Sequence, residues 1–274
     1  MIAPLPPRAP GASRGSDGSG WAAGPGRAAG LRRPARAVAA ELSKLRTLPA
    51  VALTVGGTVA TAIALAAALA AGDVPGGPVG IALRTVPFLQ VGLVVLGVVA
   101  ASSEYAGRQI RTTLTAVPAR GTVLAGKAVA CLAAALVTSA AAVGVAFGAA
   151  WWVVDEPAAR GASTASGGAP EPWWSVVGAV VYLALIGLLA HVVAVLLRSL
   201  VPPLVAVLGV VLVVSPLLAG FTEHARWLPD RAGGLLYLPA DDALLTPGTG
   251  ALVLAAWIVA VGTAAAGTFL TRDA

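Results

Sequence analysis

The chain has 274 residues, of which 58% are hydrophobic and only 11% charged. A soluble domain of this size carries roughly 25% charged residues to cover its surface, so much of this surface does not face water. The net charge of +6 does not point to nucleic acid, because the basic residues cluster beside apolar stretches, and the single cysteine, Cys131, leaves no intrachain disulfide, CxxC motif or Cys-rich zinc site.

Residues 1–30 are rich in Pro, Gly, Ala and Ser and lack the apolar core of a cleavable signal peptide. They are expected to form a disordered cytoplasmic tail, since they cannot bury enough apolar surface to offset ordering. In residues 31–46, Leu31, Ala35, Val38, Leu42 and Leu45 recur at spacings of four and three, which places them along one helical face. Arg32, Arg33, Arg36, Glu41 and Lys44 fall elsewhere, and Pro34 is expected in the first turn. Such a basic amphipathic helix suits a membrane surface.

Six uncharged stretches come next: Leu48–Gly72, Thr85–Ser103, Ala128–Val154, Pro172–Leu197, Ser199–Thr222 and Ala243–Thr271. Each reaches the roughly 18–20 residues that a helix needs to cross a bilayer, which predicts spans at about 48–72, 85–103, 128–154, 173–197, 200–222 and 244–270. Only Arg198 separates the fourth from the fifth, and Pro202-Pro203 is expected to make the turn between them.

Charge sets the expected orientation. With the N-terminus inside, Arg8, Arg14, Arg27, Arg32, Arg33, Arg36, Lys44, Arg46, Arg108, Arg111, Arg120, Lys127, Arg198 and Arg272 are cytoplasmic, 14 of the 18 basic residues. Arg84, Arg160, Arg226 and Arg231 lie outside. The positive-inside rule favours this arrangement, with both termini cytoplasmic. Trp151, Trp152, Trp173 and Trp174 flank the external loop between the third and fourth spans, where amphipathic rings suit the interface.

The cytoplasmic loop 102–127, SSEYAGRQIRTTLTAVPARGTVLAGK, holds four basic residues. Ile110 and Leu114 sit four apart, so a short helix could carry them on one face with Arg108 and Arg111 on a polar side, ending near Pro118. Glu104, Gly107, Ile110-Arg111-Thr112-Thr113-Leu114, Pro118, Arg120 and Lys127 resemble the coupling-loop signature of bacterial ABC-2 type transporter permeases. Glu41-Leu42-Ser43-Lys44-Leu45-Arg46-Thr47 resembles the segment before the first span in the same family. Arg108 departs from the Thr or Ser that the family often has after this glycine.

The resemblance implies an all-α integral membrane domain over 31–274 with a type V exporter-like fold. It makes 31–46 a connecting helix, with Glu41, Leu42, Lys44 and Arg46 as its marked positions. It makes the loop a coupling helix that docks on a cytoplasmic ATPase through Glu104, Arg108, Arg111, Thr112, Thr113, Pro118, Arg120 and Lys127. It also implies a dimer with a second permease copy or paralogue, and ATP and magnesium in the partner ATPase, with no cofactor in this chain.

Gly121–Lys127 matches the GxxxxGK spacing of a phosphate-binding loop, but Ala128 replaces the magnesium-binding hydroxyl and no strand precedes it. The chain is therefore expected to have no nucleotide site, metal or catalytic set of its own. Gln90, Ser139, His191 and Ser215 are candidate groups on a substrate path, with helix-to-helix hydrogen bonding as the plainer role. Gly144 and Gly148 form a GxxxG that permits close helix contact. Glu223, His224 and Asp230 lack a rigid metal-ligand spacing and read as solvated loop charges. The expected function is that of an exporter permease working by alternating access in the plasma membrane. The alternatives are an accessory membrane protein, or a proton-coupled transporter, which would want acidic residues within the spans.

Overall fold

A computed structural model describes residues 28–72, 77–106, 120–153, 172–238 and 244–272. Every regular element among them is helical. Helix α1 is Ala28–Thr47, α2 Pro49–Ala71, α3 Gly77–Ala106, α4 Arg120–Val153 and α5 Pro172–Leu197. Helix α6 runs Val201–Phe221, and a 3₁₀ turn, Glu223–Trp227, leads to the short α7, Pro229–Gly234. Helix α8 closes the chain at Pro247–Arg272.

Six of these, α2 to α6 and α8, contain segments long and apolar enough to cross a membrane. Helix is the form such segments must take, because hydrocarbon offers no partner to backbone N–H and C=O groups. The chain is thus a multi-pass helical membrane protein.

Helices α3 and α5 form the centre, with 61% and 56% of their most apolar stretches buried, against 22%, 17% and 17% for α2, α6 and α8. Their mutual contact is the most extensive in the fold, with α4 packed on both. The crossing depends on Gly97 and Gly187. A Cβ on Gly97 would collide with the Gly187 carbonyl, so hydrogen in place of a side chain lets the backbones meet. Gly178 plays the same part lower on α5, where a Cβ would strike the Leu236 carbonyl. This close approach seats the segment after α6 against α5.

Several sequence expectations shift. Residues 28–30 belong to α1, so Pro34 lies in the second turn rather than the first; residues 1–27 of the expected tail lie outside the described residues. The second span begins at Gly77, not Thr85, and includes Arg84, which is exposed on the helix and can carry its charge to the interface on its aliphatic stem. The third span begins at Leu124, within a helix that starts at Arg120.

The turn between the fourth and fifth spans comes before the proline pair, at Arg198, Ser199 and Leu200. Arg198 adopts φ 52°, which reverses the chain, and its Nη2 donates to the Thr268 carbonyl at 3.1 Å near the end of α8. Pro202 and Pro203 sit in the first turn of α6, where a missing N–H costs no helical bond. A Cβ on Gly144 or Gly148 would meet nothing within 4 Å among the described residues, so this GxxxG makes no close contact with them.

Candidate functional site

Two regions at opposite ends of the bundle gather the residues marked in the sequence. The first joins α1 to α4. Leu45 is buried, and Val38 and Leu42 pack against the core, so the apolar positions of α1 turn inward while Ser43 and Arg46 stay exposed. The same docking brings Glu41 to Lys127: Nζ donates to Glu41 Oε1 at 2.9 Å, with the two side chains only 17% and 21% exposed. The pair spans 86 residues of sequence. Lys127 lies inside α4, and the whole GxxxxGK stretch from Gly121 is helical, a conformation unlike a phosphate-cradling loop.

Glu104 falls in the last turn of α3, and Arg120 opens α4. Arg108, Arg111, Thr112, Thr113 and Pro118 lie outside the described residues, and so does the expected coupling helix. Lys44 is half-buried on α1.

The second region is a half-open cavity of about 560 Å³ at the other end, bordered by α3, α5, the later half of α6, residues 222–238 and Leu245. Its polar lining comes from Gln90, Tyr182, Thr222 and Tyr237, with charges of both signs, Glu223 and Asp230 against Arg226 and Arg231. Gln90 is buried in α3, and Tyr182 Oη donates to its Oε1 at 2.6 Å from the facing α5. The Tyr182 and Tyr237 rings lie 5.2 Å apart at 38°. Val211, Pro216, Leu235 and Leu245 supply apolar wall.

Three local devices shape this cavity. The first is a π-helical turn in α6, Val210–Val214, where the Ser215 N–H reaches back to the Val210 carbonyl. Such turns insert one residue and re-aim the side chains beyond it. The second is the 3₁₀ turn, held to α8 by Trp257 Nε1 donating to the Trp227 carbonyl at 3.0 Å. The third is α7, whose Leu228–Asp230 start brings Asp230 beside Ser215.

Burial pushes the Asp230 carboxyl above the usual carboxylate range, with the Ser215 hydroxyl, nearby backbone N–H groups and Arg231 opposing that rise. Ser215 Oγ and Asp230 Oδ1 are both enclosed and lack a well-directed hydrogen-bond partner among the described residues. Burial likewise raises the Tyr237 phenol to about 12. At the rim, Arg226 Nη2 donates to Glu223 Oε2 at 2.7 Å.

The four expected path residues therefore separate. Gln90 lines the cavity, and Ser215 lies behind it. Ser139 is 3.1 Å from the Leu136 and the Val180 carbonyls, tying α4 to α5. His191 Nδ1 lies 3.3 Å from the Gly97 carbonyl and, as the donor there, ties α5 to α3. These two do the plainer helix-joining work.

Glu223, His224 and Asp230 do not converge: Glu223 holds Arg226, and His224 Nδ1 is 3.0 Å from the Thr222 hydroxyl. Among the described residues no group of three or more His, Cys, Asp or Glu could hold a metal. Asp230 is no solvated loop charge but a half-buried wall residue, and Tyr182 and Tyr237 carry no sequence signal beyond their place in apolar segments. No protein-family model matches the chain, and no curated protein matches it.

Proposed function

We propose that this chain is the membrane-spanning permease subunit of an ABC-2 type transporter, with its termini in the cytoplasm and a separate ATPase beneath it. The observation that carries the reading is the Glu41–Lys127 ion pair. Glu41 belongs to the segment that resembles the family's connecting helix, and Lys127 closes the stretch that resembles its coupling loop. The two motifs are separate in sequence, and the fold joins them through a pair of charges that are mostly withdrawn from solvent.

The mechanical sense of the joint is direct. A loop that receives a push from an ATPase must pass it to the spans without absorbing it. Helix α3 enters the loop and α4 leaves it, and both pack on the central α5. Anchoring α4 to α1 by a 2.9 Å ion pair makes the loop's exit move with the segment before the first span. In this reading nucleotide binding closes the ATPases, the loop is displaced, and the spans re-pack to open outward, exporting the substrate across the plasma membrane as part of a permease dimer.

The test is co-purification from native membranes, then reconstitution. A cytoplasmic ATPase should accompany the wild-type chain and be stimulated by it. Glu104→Ala and Arg111→Ala should insert normally, yet weaken that association or uncouple ATP hydrolysis from substrate movement. A chain that recruits no ATPase would be an accessory membrane protein instead.

A further inference from the structure

Helices α2 and α3 leave a groove open along their line of contact, on the outside of the bundle. It has a volume of about 510 Å³ and runs from Leu53 to Leu65 on α2 and from Val95 to Phe88 on α3. At the helical rise, Leu53 to Leu65 covers about 18 Å, a little over half of the roughly 30 Å hydrocarbon core of a bilayer. The helices meet at its floor, where a Cβ on Gly92 would collide with the Thr58 hydroxyl. Gly57 gives it depth, since a Cβ there would meet nothing within 4 Å among the described residues. Thr54 and Thr58 line it, yet their hydroxyls donate within α2, to the Ala50 carbonyl at 2.8 Å and the Thr54 carbonyl at 2.7 Å. The groove therefore offers hydrocarbon contact and few free donors.

Its Phe88 end has a charge beside it. Phe88 is 56% exposed, and Arg84, one turn before it on the same face of α3, is exposed too. The Cα–Cβ bond tilts toward the start of the helix, which carries the Arg84 guanidinium out toward headgroup level. A cation within a span is costly unless it reaches such polar groups. None of the six spans contains an Asp or Glu, so a span of a second copy laid in the groove would bring Arg84 no anion. A phospholipid brings both parts: an acyl chain for the groove, and a phosphate that a guanidinium can meet with two parallel hydrogen bonds.

We propose that the α2–α3 groove holds one phospholipid, its phosphate on Arg84 and an acyl chain against Gly57, Thr58, Phe88 and Gly92. The site needs no ATPase, and either leaflet could supply the lipid, so it stands apart from the transporter reading and can be tested without it.

The experiment is native mass spectrometry of the purified full-length chain in detergent, titrated with two lipids. One is palmitoyl-oleoyl phosphatidylglycerol; the other is the diacylglycerol with the same chains, which keeps the hydrocarbon and lacks the phosphate. The wild-type chain should retain one phosphatidylglycerol and bind the diacylglycerol at least about tenfold more weakly, as expected on losing a charge-assisted bidentate pair. Arg84→Gln should remove the difference between the lipids. Gly57→Leu, which fills open space in the groove, should weaken retention of both, whereas Gly144→Leu, at an equally open position on α4, should weaken neither. Equal retention of the two lipids by the wild-type chain overturns the proposal. So does an undiminished preference in a folded Arg84→Gln variant, or an equal effect of the two leucine substitutions. A dimer that Gly57→Leu dissociates, with no lipid preference in the wild-type chain, would assign the groove to a second copy instead. The two-lipid comparison on the wild-type chain decides the matter even if a variant does not fold.

Discussion

The hydroxyl of Tyr182 and the amide of Gln90 show what one polar contact is worth when both groups are buried. Their 2.6 Å bond joins the two central helices. Tyr182→Phe would leave Gln90 Oε1 enclosed without its donor, at a cost of about 1–3 kcal/mol. Pairing Tyr182→Phe with Gln90→Leu should recover most of that loss, because both polar groups leave together; thermal midpoints in detergent give the comparison. Asp230 provides the pH counterpart. Its carboxyl is raised by burial, so the folded state holds its proton more tightly than the unfolded chain. Stability from this residue is full below the ordinary carboxylate pKa of about 3.9 and falls as pH rises through the raised value. Melting midpoints across that window should decline in the wild-type chain relative to Asp230→Asn, which cannot titrate. The facing groups, Arg231, Ser215, Tyr237 and the Glu223–Arg226 pair, stay the same in both proteins. A parallel pair of curves would show that Asp230 is more solvated than its enclosure implies.

Helices are the most legible elements of this sequence. A segment that crosses hydrocarbon must be long and apolar, so all six spans are visible in composition alone. The differences fall at their ends, for physical reasons. The start of α3 hides behind Arg84, because a charged residue at a helix end can reach the interface while its backbone stays helical. The Arg198 turn hides behind Pro202-Pro203, since nothing in a lone arginine announces φ 52°. Gly144 and Gly148 carry the familiar spacing, yet the close approach belongs to Gly97 and Gly187, which no local pattern marks. That contrast is testable. Gly97→Ala puts a methyl group into the Gly187 carbonyl and should cost about 1–3 kcal/mol from overpacking. Gly144→Ala and Gly148→Ala meet open space and should change the melting midpoint little, within about 0.5 kcal/mol. The cavity is less legible still. Gln90 and Ser215 stand out as polar groups in apolar spans, but Tyr182, Asp230 and Tyr237 come from other segments, and only their convergence makes a site.

At the scale of the whole molecule, the fold sets its two polar regions at opposite ends of the spans, so one orientation decides the role of both. The Glu41–Lys127 pair lies at the end where α1 docks and the 107–119 segment connects α3 to α4. The Asp230 cavity lies at the end where α7 and the α6–α8 connection fold over the bundle. Charge distribution predicts that the first end faces the cytoplasm, since the alternating count along the sequence assigns 14 of the 18 basic residues to that side. In that orientation the Asp230 cavity faces outside, and an ATPase would meet α1 from within. The native Cys131 is buried, so single-cysteine reporters can be added without replacing it. Ser43, exposed on α1, and Gly248, exposed at the start of α8, mark the two ends. With an impermeant maleimide on intact cells, Gly248→Cys should label directly, whereas Ser43→Cys should label only after the membrane is opened. The reverse pattern would place the ion pair outside, where no ATP-driven partner could reach it, and would remove the basis of the permease reading. Labelling of both sites on intact cells would mean that the two ends lie on one side of the membrane, which six alternating spans do not allow.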